Sequence, residues 1–461
     1  MSVIKSYIVP HPPMIIPEIG KGDEEKIRKT ISSYEEIALD IADVKPDTII
    51  ISSPHAMAYS DYFNILDGEE LKGDFGNFGA SSVSFTEKND LELISKIEEI
   101  ASSRGFPCSR VNNSNNNLDH GSMIPLYFIR KKYNDFKVII LGLSGLSLIE
   151  HYALGMLIND SVNELGRRCV YIASGDLSHK LQEYGPYGFS KFGPEYDNKL
   201  INIFKDNNFL ELLKMEDTYL DKASECGHRS FTIMSGLFDG LNVESKFYSH
   251  EDVTGVGYGI WSFKSGDENT DRFFLDKYLT ELESKIRKEV EESDNYAKFA
   301  RTVINDYVID GSAFYDRKLV DDELLTNRAG VFVSIHKFGQ LRGCIGTISP
   351  IYDNICDEIL NNAIEACSND PRFNPVTQDE LKFLEINVDV LSEAIDIDSI
   401  DELDPKKYGI IVYTDNKQGV LLPDLDGVDT VEEQIRIAKK KGNILEGEDF
   451  KIKKFEVIRH R

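Results

Sequence analysis

The sequence predicts an α/β domain followed by an α+β domain, and three observations lead there. Four strand-sized apolar runs in the first half, "SYIV", "DTIIIS", "FKVIILG" and "CVYIAS", are each followed by Gly, Pro, Ser or His. Between the first two, Ile27, Ile31, Tyr34, Ala38 and Ile41 keep the three-and-four spacing of an amphipathic helix. In the last third "LEINVDVL" alternates strictly, with Leu384, Ile386, Val388 and Val390 on one face and Glu385, Asn387 and Asp389 on the other.

Each element follows from its residues. The first-half runs are almost wholly apolar, as strands covered on both faces by helices must be. The polar stretch "SFKSGDENTDRF" interrupts the pattern near residues 263–273, and Leu275, Leu279, Leu282, Ile286 and Val290 then mark a connecting helix. "YGIIVYTDNKQGVLLPDL" reads as two strands around a polar turn. The expected division is 1–265, a helical connector at 266–289, and 290–461. "NNSNNN" is expected to be a solvated loop.

Composition excludes several classes. The 461 residues, 41% hydrophobic and 28% charged, suit a soluble globular chain too long for one core. The longest apolar runs fall far short of the roughly 20 residues that span a bilayer, so no membrane segment is expected. The N-terminus lacks the apolar stretch and cleavage site of a secretory leader, and the mature chain is expected to begin at or near Met1. A net charge of −27 argues against nucleic acid and anionic lipid as partners. Six scattered cysteines without a CxxC pair fit reduced thiols and a cytoplasmic location.

Seven of the nine histidines precede residue 265, and three of them follow strand runs: His11 after "SYIV", His55 after "TIIISSP", His179 after "VYIASGDLS". Open α/β sheets bind ligands at the carboxyl ends of their strands, so these histidines can converge. "NLDHGSMIPL" adds His120 beside Asp119. "DKASECGHRSF" offers Glu225, with Cys226 next to it and His228 close by. Two imidazoles and one carboxylate on one face of an ion form the facial triad of non-haem Fe(II). Glu225 also reads as a helix-start carboxylate near the following amides. "TGVGYG" near residue 254 lacks phosphate-loop spacing and reads as close backbone packing.

"HPP", "SPH", "DHG", "SGDLSH" and "ECG" occur in the order found in class III extradiol ring-cleaving dioxygenases of the LigB type, whose fold the Memo proteins share, and the resemblance covers residues 1–265. It implies that His11, His55 and Glu225 hold Fe(II) or another divalent metal, with His120 and His179 as the acid–base pair. In Memo relatives a cysteine stands at the "CG" position, which sets Cys226 against Glu225 as third ligand; the hard carboxylate suits iron better. The implied reaction takes a small aromatic diol and O2, the diol losing a proton to His179 or His120. Asp176 and Asp119 are expected to orient the histidines, and His228 is a further candidate.

In the last third, Arg342, Gly343, Cys344 and Gly346 lie in "LRGCIGT", and Asp370, Pro371 and Arg372 in "SNDPRFNPVTQDEL". Read alone, the first is a strand with close backbone approach and reactive residue types. The two strings resemble the signatures of the AMMECR domain family, over about residues 290–461. The order of domains resembles protein A of the AmmeMemoRadiSam system, which implies a radical-SAM protein partner; this chain has no CxxxCxxC motif of its own. On that resemblance the alternative to a dioxygenase is a metal-binding component that uses no O2. A homo-oligomer is compatible with either reading.

Overall fold

The computed structural model of the chain describes residues 3–111, 117–425 and 427–461. Of the asparagine-rich run, residues 112–116 lie outside the described residues. The chain divides into two units, Met1–Leu279 and Thr280–Arg461.

The first unit contains β1 (Lys5–Val9), β2 (Thr48–Ser53), β3 (Phe63–Ile65), β4 (Glu70–Phe75), β5 (Ala80–Lys88), β6 (Cys108–Arg110), β7 (Lys137–Gly142), β8 (Cys169–Ser174), β9 (Leu241–Glu251) and β10 (Tyr258–Glu268). Eight of these form one mixed sheet in the order β6-β3-β7-β2-β8-β1-β10-β9, while β4 and β5 make a separate hairpin. β7, β2, β8 and β1 are neighbours and parallel. Their carboxyl ends therefore open on one side, and three of the four carry the histidine-bearing loops.

Helices cover both faces of this sheet. Ile50 of β2 packs with Leu93, Ile94 and Ile97 of α2 (Leu91–Ser103) and Leu154 and Leu157 of α4 (Leu148–Leu165). Its neighbours Ile49 and Ile51 point the other way, among Tyr34, Ile37 and Ile41 of α1 (Arg28–Val44) and Met123 and Ile124 of α3 (His120–Arg130). All three isoleucines are fully buried, each stabilising the fold by roughly 1.5–3 kcal/mol. Two-sided burial is why the strand runs lack polar alternation. Among the described residues no helix is long and apolar enough to cross a membrane.

α5 (His228–Gly236) continues directly from the segment that carries Glu225 and Cys226, and it packs on α4 at a glycine pair. A Cβ on Gly155 would stand 2.0 Å from the Ile233 carbonyl oxygen, and one on Gly236 2.0 Å from that of Tyr152. His151 on α4 is fully buried and satisfied, its Nδ1 beside the Ser147 carbonyl and its Nε2 accepting from the Ser144 amide.

α6 (Phe274–Glu292) contains the point at which the two units divide. Beyond it lie α7 (Asn295–Asp310), β11 (Gly330–Lys337), β12 (Gln340–Gly346), α8 (Ile355–Ser368), β13 (Leu384–Leu391), β14 (Ile395–Asp396), β15 (Tyr408–Tyr413), β16 (Gln418–Leu421) and β17 (Lys451–His460). The strands form an antiparallel sheet in the order β12-β11-β13-β17-β15-β16, with β14 paired to β17. Val331, Val333 and Ile335 of β11 and Leu384, Ile386 and Val388 of β13 share a core with α7 and α8. Asp389, on the polar side of the β13 alternation, is nonetheless buried, because Arg459 donates to both of its oxygens.

Gly155→Ala is expected to force α4 and α5 apart at a cost of about 1–3 kcal/mol. A thermal melt should record it as a loss of several degrees in Tm, whereas an exposed α4 position such as Glu164→Ala should leave the melt nearly unchanged.

Candidate metal centre

The centre is built where β1, β2 and β8 end. After β1 the chain runs through Pro10 into His11, and Pro12 and Pro13 end the strand. The Tyr34 hydroxyl of α1 donates to the Pro10 carbonyl, and the His11 amide donates to Asp176 Oδ1 at 2.8 Å. The His11 ring is fixed by β8. Ser174 donates its one hydroxyl proton to the Gly121 carbonyl at 2.6 Å, so its oxygen can only accept from His11 Nδ1, 3.0 Å away. Nδ1 therefore carries the ring proton and Nε2 presents a bare lone pair.

That lone pair faces His55. The two Nε2 atoms lie 3.1 Å apart, with ring centroids at 4.8 Å and planes at 83°. His55 is held from below: its amide donates to Ser53 Oγ, and Ser53 donates in turn to Asp119 Oδ1 at 2.6 Å. Asp119 also caps α3, accepting from the Ser122 amide and hydroxyl. One carboxylate thus sets both the His55 loop and the helix start that carries His120, whose ring lies 4.0 Å from that of His55.

Ligand atoms of His11, His55 and His120 lie within 4.8 Å of one another, and so do those of His11, Asp176 and Cys226. From His11 Nε2, Cys226 Sγ is 3.6 Å away and Asp176 Oδ2 4.0 Å. The Asp176 amide donates to Cys226 Sγ at 3.2 Å. His179 stands at the margin, its Nε2 buried and without a hydrogen-bond partner.

Burial sets the protonation states. Desolvation, then the His55 imidazole, push His11 down to about 3. Desolvation, His55 and His11 push His120 down to about 4, and burial lowers His179 as well. Asp176 is raised to about 6 by burial, and the Cys226 thiol is raised well above its ordinary value by burial and the neighbouring Asp176 carboxylate. Clustered imidazole nitrogens, one of them a fixed lone pair on His11, together with a carboxylate and a thiol are the donor types that a divalent cation takes, and the nitrogen separation suits ligands at about 2.0–2.1 Å from one ion. The residues fit such a group.

The structure brings His11, His55 and His120 together, with His179 at the margin. Asp176, expected to orient, stands at ligand distance. Glu225 belongs to neither ligand group among the described residues: its carboxylate turns to the start of α5 and accepts from the His228 amide at 2.5 Å. The cause is the unsatisfied amides of a new helix, which a carboxylate one turn upstream satisfies; Ser224, in the left-handed region at φ 55°, redirects the chain just before it. Burial raises Glu225 to about 7. His228 is buried and structural, its ring nitrogens paired with the Tyr196 hydroxyl and the Leu212 carbonyl. Ser53 and Ser174 close β2 and β8, and nothing in their residue type points to the roles they take here. "TGVGYG" packs by its backbone, Gly257 exchanging hydrogen bonds with Ser178 and Leu177.

In the second unit, Arg342 makes a two-pronged contact with Glu380 at 2.9 and 3.0 Å and donates to the Asn374 and Pro375 carbonyls. Burial opposes the Glu380 charge, yet hydrogen bonds from Arg342, the Thr377 amide and Lys337 hold it down to about 2. Asp370, held to about 2 by Arg372, accepts from the Cys344 amide, and Ser334 donates to Cys344 Sγ. Gly343 and Gly346 allow the close approach of the Ala366 carbonyl and the Phe332 ring. The motif joins β12 to the "DPRFNPVT" loop.

The family model of the catalytic LigB subunit of aromatic ring-opening dioxygenase matches residues 5–261, and that of AMMECR1 matches residues 297–460. A Clostridium acetobutylicum protein is 43% identical over an alignment that covers both chains in full. A Thermotoga maritima protein is 49% identical over 168 residues, 36% of this chain and 97% of its own. The beta subunit of 2-aminophenol 1,6-dioxygenase from a Pseudomonas species is 22% identical, over 56% of this chain and 92% of that one.

Two outcomes are expected. Ser174→Ala removes the acceptor that fixes the His11 tautomer, and Zn(II) affinity measured against a competing chelator should fall about 10- to 100-fold. The pH profile of the same titration should rise from pH 5 to about 6, because the cation must displace the Asp176 proton, and level off above. Continued rise beyond pH 7 would instead mark release of the Cys226 proton and name the thiolate as a ligand.

Proposed function

This chain belongs to the family of the LigB catalytic subunit of aromatic ring-opening dioxygenases through residues 5–261, with an AMMECR1 domain behind it, and from that premise we propose that its first unit is a non-haem Fe(II)-dependent, extradiol-type dioxygenase acting on a small catechol-like aromatic. The observation that carries this reading is the pair of Nε2 atoms 3.1 Å apart, one of them fixed as a lone pair by Ser174. His11 and His55 would hold the ion, with His120, Asp176 and Cys226 supplying the nearest further donors. When bound, Fe(II) supplies Lewis acidity that favours the ionised diol and electrons for dioxygen.

The side chains then have distinct tasks. His179, neutral because burial lowers its pKa, has a free Nε2 that can accept a proton from a substrate hydroxyl. Asp176 lies near enough to favour the imidazolium so formed and raises the His179 pKa against the effect of burial. Returning that proton to a departing oxygen restores the neutral ring. His120, fixed by the Asp119 cap, flanks the same space.

The position of Cys226 favours a second reading. A sulfur 3.6 Å from His11 Nε2 is a softer donor than the dioxygenase chemistry needs. On this reading the unit is a metal-binding component that uses no O2 and works with a radical-SAM partner.

Metal content after anaerobic purification separates them. Wild type and Glu225→Ala are expected to carry iron, and His11→Ala and His55→Ala to lack it. Wild type should consume O2 with a simple catechol and release a yellow ring-opened product. Iron without O2 uptake across a catechol panel would favour the second reading, and a wild type that binds no metal after Fe(II) reconstitution would sink both.

A further inference from the structure

Two aromatic rings stand against two histidines of the centre and keep much of their surface in solvent. Phe78, at the turn of the β4–β5 hairpin, meets the His120 ring at 5.3 Å between centroids and is 39% exposed. Tyr187 meets the His179 ring at 5.1 Å and is 57% exposed.

Both are held in place. The buried Phe75 touches the rings of Phe78 and Phe85, and the Gly76 amide at the turn donates to Asp74 Oδ1. The loop carrying Tyr187 is closed by a bridge between Leu181 and Phe189 and tied by Gln182 to Asp252 at 3.0 Å. Fixed, exposed aromatic surface beside a polar centre is a feature that ligand-binding clefts share. The unpartnered Nε2 of His179 lies beside one of these rings.

On the dioxygenase reading above, we propose that Phe78 and Tyr187 form the walls of the substrate site and select a planar aromatic ring over other bidentate metal chelators. Each wall would offer the ring an offset or edge-to-face contact, the arrangements that aromatic groups prefer. The two residues recognise the ring, and the metal centre recognises its hydroxyls.

The test uses the full chain loaded with redox-silent Zn(II) and two chelating probes. 4-Nitrocatechol is aromatic and its visible absorption shifts when it ionises; acetohydroxamic acid also chelates through two oxygens but has no ring. Phe78→Ala and Tyr187→Ala are each expected to weaken 4-nitrocatechol about three- to tenfold, and the double variant more, with acetohydroxamic acid unchanged in calorimetry. Tyr187→Phe should retain wild-type binding.

The double variant binding 4-nitrocatechol as wild type does would overturn the walls and leave the metal reading standing. Equal loss of both probes would place the effect at the metal centre and also overturn them. Wild type binding neither probe would remove the metal reading, and the walls with it.

Discussion

One hydroxyl proton sets the centre. Ser174 at the end of β8 gives its hydrogen to the Gly121 carbonyl of α3 and accepts from His11 beyond β1, so three elements meet at a single oxygen. The direction of both hydrogen bonds is forced because a serine has one proton. From it follow the tautomer of His11 and the lone pair that it turns toward His55, which Ser53 and Asp119 hold in place. The parallel arrangement of β2, β8 and β1 makes this geometry available, since it stops three adjacent strands on the same side of the sheet.

A second constraint is desolvation. The same burial that strips the proton from His11 and His120 raises Asp176 and Cys226 toward their neutral forms. Suppressing charge on these groups lowers the cost of burying them. A cation would reverse the balance on the acidic side, favouring the carboxylate and thiolate, while leaving the imidazoles as they are.

The fold was legible because its physics is local and periodic. Unbroken apolar runs require covering on both faces, and the alternation at residues 384–388 requires one covered face. The convergence of His11 and His55 was legible for the same reason, since both follow buried strand runs; β8, which separates those two strands, was needed to bring Ser174 between them. The choice between Glu225 and Cys226 was not. Adjacent residues in a turn point in different directions, and which one faces the centre depends on a left-handed Ser224 and on the amides of α5, neither visible in residue types. Arg342 and Cys344 looked reactive by type alone; their partners Glu380 and Asp370 lie 38 and 26 residues away and turn them toward holding a loop. Asp389 looked solvated for want of a visible Arg459, 70 residues on.

The hairpin β4–β5 is separate from the main sheet, yet it is tied to the segment that enters α3: the Leu118 amide donates to the Lys72 carbonyl at 2.8 Å, one residue before Asp119 and two before His120. Phe78 and His120 are therefore joined twice, by their ring contact and by the Lys72–Leu118 hydrogen bond just ahead of the Asp119 cap, so a hairpin that lies outside the main sheet helps to support the centre.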